Sequence, residues 1–302
     1  MTLPAQRAQL RVGTTSITYL PDGHSVMSAA VAFPESDWSA HRGQLDDSGQ
    51  ITLSFGAFLL QSGERRILVD LGMGAVDVQL PGVGRMTGGS LLASLADEGL
   101  SAEDIDTVVY THLHIDHVGW TTDVPMNPLE PAERTPSGLT FPNARYCVSE
   151  AEWTHWTQTG GGPGAPDPHV VLAPLSDAIE FLDDGETIAP GITVHITPGH
   201  TPGNLVVAVT DPDGSGSERV LIVGDILHSV VQVAEAEWSF FADADPQQAL
   251  AVRKEVLTAP GTVIAAGHFT DHVFGRVEHS GSGTTWTPVF DEQHDPAVGT
   301  GD

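Results

Sequence analysis

The stretch Thr111-His112-Leu113-His114-Ile115-Asp116-His117-Val118-Gly119 packs four metal-ligating side chains into six residues. It follows the apolar, β-branched run Thr107-Val108-Val109-Tyr110, which reads as a buried strand. In an extended segment His112 and His114 project to the same side. Asp116 and His117 fall where the chain must turn, so they point differently. The spacing therefore offers two pairs of ligands to two neighbouring points in space. Neutral imidazoles with a carboxylate suit zinc or a related divalent ion. In a chain of this composition H-x-H-x-D-H is expected by chance about 0.002 times, so random clustering is a poor account of it.

Three more polar residues sit in matching contexts. His200 lies in the turn Thr197-Pro198-Gly199-His200-Thr201-Pro202-Gly203, Asp225 ends Leu221-Ile222-Val223-Gly224-Asp225, and His268 ends Ile264-Ala265-Ala266-Gly267-His268. Each time an apolar strand delivers a polar side chain to a sheet edge beside a glycine, which permits close backbone approach. For any one of them alone, turn capping would serve equally well.

The elements that must position these residues follow from pattern. Residues 10–20 and 51–60 read as strands, and 51–60 turns through Gln61-Ser62-Gly63-Glu64 into Arg66–Asp70 as a hairpin. The polar stretch 21–50 reads as a long loop or lid. Gly88–Glu98 places Leu91, Leu92 and Leu95 on one helical face, with Gly99 as the stop. Ala144–Val148 reads as a strand, and Ser149 as the N-cap of a helix over Glu150–Trp156. Residues 158–168, QTGGGPGAPDP, read as a loop. A second run of strands covers 178–182, 187–188, 192–196, 205–209 and 220–223. A helix from Pro246 to about Leu257 and a strand at Thr262–Ala266 follow. Strands with a helix, repeated in two halves, predict an α/β fold of the αββα sandwich type, two mixed sheets with helices outside. No linker separates two cores, so 1–302 is expected to be one domain, with 1–9 and 280–302 as flexible tails.

Composition narrows the function classes. Forty acidic residues against twelve basic ones give a net charge of −28. Such a surface repels phosphate backbones and anionic lipid, so neither nucleic acid nor membrane is an expected partner. Cys147 is the only cysteine, which excludes an intramolecular disulfide and a thiolate metal cage. No signal-peptide-like run opens the sequence and no stretch approaches ~18 apolar residues. A cytoplasmic protein acting on a small molecule is expected, with a removed leader and a homodimer left open.

In their order along the chain, His112-Leu113-His114-Ile115-Asp116-His117, Thr197–Gly203, Val223-Gly224-Asp225 and Ala266-Gly267-His268 resemble the metallo-β-lactamase-fold hydrolase superfamily, from about Leu53 to Val277. The resemblance implies that His112, His114 and His200 bind one metal, that Asp116, His117 and His268 bind the other, and that Asp225 bridges both. It also implies that Asp70 supports the ligand loop; as a residue read alone, Asp70 is equally a simple strand end. The implied cofactor is two divalent ions, Zn²⁺ first, with Mn, Fe or Co as alternatives.

Within the superfamily the bridging Asp225, the absence of a ligand cysteine and the single Lys254 argue against a lactamase and against an enzyme that holds glutathione. The segments after Asp225 and His268 resemble the branch of methyl parathion hydrolase-like and quorum-quenching-lactonase-like enzymes. Lactonases of that branch place a Tyr beside the metals after the bridging Asp. Here His228 either takes that role or leaves it to the metals alone. The expectation is a hydrolase of a neutral, partly apolar ester or lactone, attacked by a hydroxide shared between ions roughly 3.5–4 Å apart. Asp116, Asp225 and His228 are its candidate catalytic residues. Alternatives are a phosphotriester hydrolase, a glyoxalase II-like thioesterase, and a metal-binding sensory protein without turnover. Trp120, three residues from His117, and Phe269, beside His268, are the candidate pocket residues. Other candidates for an apolar wall are Phe33, Trp38, Trp153, Trp156, Trp238, Phe240, Phe241 and Trp286.

Overall fold

The computed structural model describes residues 2–34, 36–129, 134–214, 216, 218–281 and 283–290. Among them, one sheet of nine strands contains β1 (Ala8–Val12), β2 (Thr15–Ser28), β3 (Gln50–Ser62), β4 (Arg65–Val69), β5 (Asp77–Leu80), β6 (Gly84–Thr87), β7 (Thr107–Val109), β8 (Arg145–Ser149) and β9 (Ile179–Leu182). Its order is β5-β6-β2-β3-β4-β7-β8-β9, with β1 paired to β2. A sheet of seven strands runs in sequence order through β10 (Thr187–Ala189), β11 (Ile192–Ile196), β12 (Leu205–Thr210), β13 (Arg219–Ile222), β14 (Thr262–Ala265), β15 (Phe274–Ser280) and β16 (Gly283–Pro288).

The αββα layering follows from strands buried on both faces. In β12 the residues Leu205, Val207 and Val209 enter the core between the sheets, while Val206 and Ala208 face the opposite way. There they meet Val256 and Leu257 of the helix Pro246–Thr258. In β4, Ile67 and Val69 point between the sheets and Leu68 points outward, into the layer that includes Leu91, Leu95 and Trp156. Period-two alternation with both faces covered explains why these strands read as continuous apolar runs. Each such buried side chain contributes about 1.5–3 kcal/mol of transfer free energy.

Three stretches differ from their sequence pattern. The run 10–20 is not one strand: Gly13, at φ 56°, turns β1 back into β2. β2 then continues to Ser28 through the stretch expected as loop, with its register shifted between Pro21 and Gly23. A bulge tolerates the N–H that proline lacks, so Pro21 did not end the strand. The expected tails are partly ordered elements. Ala8 and Gln9 belong to β1, and the Ala5 amide donates to Ser54 Oγ at 2.8 Å. β16 pairs with β15 from Gly275↔Pro288 to Ser280↔Gly283. Its Trp286 ring packs on Phe269 at 4.9 Å. The alternation of small polar residues around Trp286 carries strand geometry that Gly/Ser/Thr composition hid. Residues 291–302 lie outside the described residues.

Candidate metal centre

The strands that matter point one way. β4 and β7 are parallel, β13 and β14 are parallel, and β11 runs with β13 because β12 is antiparallel to both. Asp70 follows β4, the His112–His117 segment follows β7, His200 follows β11, Asp225 follows β13 and His268 follows β14. Sequence-distant side chains therefore gather at the C-terminal ends of strands, where open sheets build their sites. Gly224 lets the Asp225 turn close against its neighbour. It sits at φ 51°, and a Cβ there would lie 2.9 Å from Thr111.

All seven residues singled out from the motifs converge. The ligand atoms of His112, His114, His200 and Asp225 lie within 4.8 Å of one another, as do those of Asp116, His117 and His268. Asp225 faces both groups with separate oxygens. Its Oδ2 is 3.1 Å from His200 Nε2 and 3.5 Å from His112 Nε2, while Oδ1 is 3.1 Å from His117 Nε2 and 2.9 Å from His268 Nε2. His268 Nε2 is also 3.6 Å from Asp116 Oδ2.

The outward nitrogens fix the tautomers. His117 Nδ1 is 2.9 Å from Asp70 Oδ2, His200 Nδ1 is 2.9 Å from Asp243 Oδ1, and His268 Nδ1 is 2.8 Å from the Ser54 carbonyl. These partners are acceptors, so in the neutral ring each Nδ1 carries the proton and each Nε2 turns a lone pair inward. Burial alone would lower His117, His200 and His268, but Asp225 raises each above the ordinary imidazole range. His112 Nδ1 meets Thr111 Oγ1 at 3.1 Å, and that hydroxyl in turn donates to Asp70. The result is a buried convergence of lone pairs. His112 Nε2 and His114 Nδ1 are 3.0 Å apart, His114 Nδ1 and His200 Nε2 2.9 Å, and His117 Nε2 and Asp225 Oδ1 have no hydrogen-bond partner. With the rings neutral, acceptors crowded in this way are costly unless a cation sits among them, and a set of imidazoles and carboxylates around one point fits divalent metal. Burial holds His112 and His114 well below the ordinary imidazole range, which keeps them neutral. Burial alone would raise the Asp225 carboxyl, but His268, His117 and His112 hold it well below the carboxylate range.

Asp70 does support the ligand loop. It accepts from the Thr111 amide at 2.8 Å while held at φ 63°, a left-handed conformation that costs a non-glycine residue about 1–3 kcal/mol. His228 is not on the cavity wall. It is fully buried, with its ring stacked 3.7 Å from Phe240 and its Nε2 3.2 Å from Asp225 Oδ2. Burial pushes it down to about 4, so it is neutral.

Over the donor cluster opens a cavity of about 1110 Å³, lined in part by His114, Asp116, Asp225 and His268. Its lining includes Phe55, Trp153, Trp156, Phe240 and Phe241 and, among the described residues, contains no Lys or Arg. The two pocket residues expected from sequence lie elsewhere. Trp120 donates its indole N–H to Asp22 at 2.8 Å and packs into the outer helical layer. Phe269 is 1% exposed against Trp286. Proximity in sequence failed because the chain turns away directly after each ligand.

Four buried charged residues escaped the sequence reading. Asp243 orients His200, and Arg253 holds Asp243 at 3.4 Å while donating to the Ile226, Ala236 and Trp238 carbonyls. Asp22 accepts from Met73, Gly74, Gly89 and Leu91 amides as well as Trp120. Glu152 accepts from the Leu113 amide at 3.0 Å, the Gly203 amide at 3.2 Å and Trp156 Nε1 at 2.6 Å, tying the His112 and His200 loops together. Ser149-x-x-Glu152 carried a capping-box signal. The structure uses only half of it, as Ser149 Oγ accepts from the Glu152 amide and the carboxylate goes to the ligand loops.

The model of the family described as the metallo-beta-lactamase superfamily matches residues 57–125. An N-acyl homoserine lactonase from Bacillus thuringiensis is 24% identical over 250 residues, 77% of this chain and 88% of the lactonase. Among solved structures, AidC, a dizinc quorum-quenching lactonase in complex with a product, superposes with TM-score 0.77 at 24% identity, over 96% of this chain and 99% of that one. The hydrolase AbOPH in the beta lactamase superfamily gives TM-score 0.77 at 26% identity, over 95% of this chain and 99% of that one.

Proposed function

We propose that the chain is a metal-dependent hydrolase of the metallo-beta-lactamase superfamily that hydrolyses a neutral, partly apolar ester or lactone at a dinuclear centre. His112, His114 and His200 would hold one ion, Asp116, His117 and His268 the other, with Asp225 shared. The observation that carries the reading is the division of the two Asp225 oxygens between the two histidine groups, at the base of a cavity with no Lys or Arg among its described lining residues. Nitrogen and carboxylate donors favour zinc.

Bound there, two divalent ions supply Lewis acidity and a water acidic enough to act as a nucleophile near neutral pH. The chain's own residues do the rest. Asp70, Asp243 and the Ser54 carbonyl hold the imidazole rings in one tautomer and orientation. His228 acts as a positioning residue, pinning Asp225 Oδ2 from beneath Phe240. The apolar walls bind uncharged groups through buried area and exclude water. A multiply negative substrate meets a net charge of −28 on approach and no Lys or Arg among the described lining residues on arrival.

The test is a hydrolysis screen of the metal-reconstituted full chain on lactones, aryl esters, phosphotriesters and S-lactoylglutathione. Turnover is expected with the neutral lactones and esters. Preference for the glutathione thioester at physiological salt, or no turnover of any neutral ester, would overturn the reading.

A further inference from the structure

We propose that the substrate is an open-chain ester carrying an apolar group on each side of the scissile bond, each seated on its own wall of the cavity. This rests on the ester-hydrolase reading above and narrows it. Strand order separates the walls. In the first sheet β6 lies on one side of β4 and β7, whose ends carry Asp70 and the His112–His117 segment, and β8 lies on the other. The cavity is lined from both sides of the donor cluster. On the β6 side it is lined by Met27, Leu53, Phe55, Leu80, Val83 and Met86. On the His114 side it is lined by Trp153 and Trp156 of the helix that follows β8, Glu150–Thr159, and by Leu172.

Each wall abuts a different part of the donor cluster. The Phe55 ring is 5.8 Å from His268 and the Trp156 ring is 5.4 Å from His114. These two histidines belong to separate ligand groups, with Asp225 between them. A carbonyl carbon held over Asp225 therefore has apolar surface in two directions. A lactone ties its acyl and alkoxy halves into one ring, and with a single chain it covers one wall and leaves the other against water. An open-chain ester with two apolar ends covers both. In its hydrolysis the water oxygen bonds to the acyl carbon and the acyl–alkoxy C–O bond breaks. The leaving alkoxide takes a proton from that water and departs as the alcohol. The acid keeps the oxygen and loses its remaining proton to solvent.

Two series of aliphatic esters on the metal-reconstituted full chain test this, one lengthened in the acyl half at fixed alcohol, the other in the alcohol half at fixed acyl group. Both series should gain about threefold to fourfold in kcat/KM per added methylene until the wall is filled. Met86→Ala should flatten the length dependence of one series, and Trp153→Ala that of the other. Val83→Ala and Leu172→Ala repeat the test should either first variant fail to fold. Length dependence in only one series, or both variants flattening the same series, would overturn the two-wall proposal while leaving the hydrolase reading intact. No turnover of any neutral ester would remove both.

Discussion

The base of the cavity and its walls are built by opposite means. At the base, each side chain has a second contact that leaves it one orientation: Asp70 for His117, Asp243 for His200, the Ser54 carbonyl for His268. Those contacts are in turn anchored, Asp70 by Thr111 and Asp243 by Arg253. The walls are side chains such as Met86, Trp153 and Leu172, only partly buried, together with the glycine-rich segment at 160–164. One region specifies positions through directional polar contacts. The other specifies only a shape and a polarity. The difference teaches where substitutions should be felt: changes at the base should be large and independent of substrate, changes at the walls modest and substrate-dependent.

The largest expected effect is at Asp225. Asp225→Ala should lower kcat/KM by at least about 10²–10³-fold for every substrate, because it removes the contact shared by both histidine groups. Near-wild-type activity would place Asp225 outside the chemistry and dissolve the contrast. Next come the contacts behind the histidines. Asp243→Asn and Asp70→Asn should each cost about 10–100-fold in metal affinity or activity, measured by chelator competition and steady-state kinetics. A loss as small as at a wall residue would mean that the rings hold their orientation without them.

A stability effect sharpens the same contrast. Glu152→Ala leaves the Leu113 and Gly203 amides and the Trp156 indole without their acceptor in a buried setting. A destabilisation of about 3 kcal/mol is expected in denaturant titration, with metal retention weakened because the His112 and His200 loops lose their tie. Trp120→Ala should be smaller and of another kind. It should reduce stability by about 3 kcal/mol or less and leave the chain-length dependence of KM unchanged, since Trp120 packs away from the cavity. A raised KM for bulky substrates alone would return Trp120 to the pocket. Least of all, Cys147 should resist thiol reagents until the protein unfolds, because it lies in the core between the sheets with its thiol pushed up to about 11 by burial.

The base was legible in the sequence and the walls only in part, since Trp153, Trp156, Phe240 and Phe241 do line the cavity while Trp120 and Phe269 do not, and the reason is physical. His-x-His-x-Asp-His after a β-branched run compresses a spatial constellation into six residues, and Asp225 and His268 each stand after a glycine at a strand end. Short spacing and strand ends survive translation into sequence. Trp120 and Phe269 were drawn to the cavity only by adjacency to ligands, and one turn of backbone defeats adjacency. Asp243, Glu152 and Asp22 were unreadable because forty acidic residues surround them in the sequence, most of them solvated. Nothing in composition separates a buried carboxylate held by N–H donors from an exposed one. β16 was missed for the converse reason: its period-two pattern is written in threonines and one tryptophan instead of a run of apolar residues.

The most direct test of the central claim is the metal stoichiometry of the reconstituted chain, by elemental analysis of wild type beside Asp225→Ala. Two ions per chain in the wild type, falling to one or fewer in the variant, is the expected result. A wild type that retains no more than one ion, or a variant that keeps two, would contradict a centre in which Asp225 is shared between the two histidine groups.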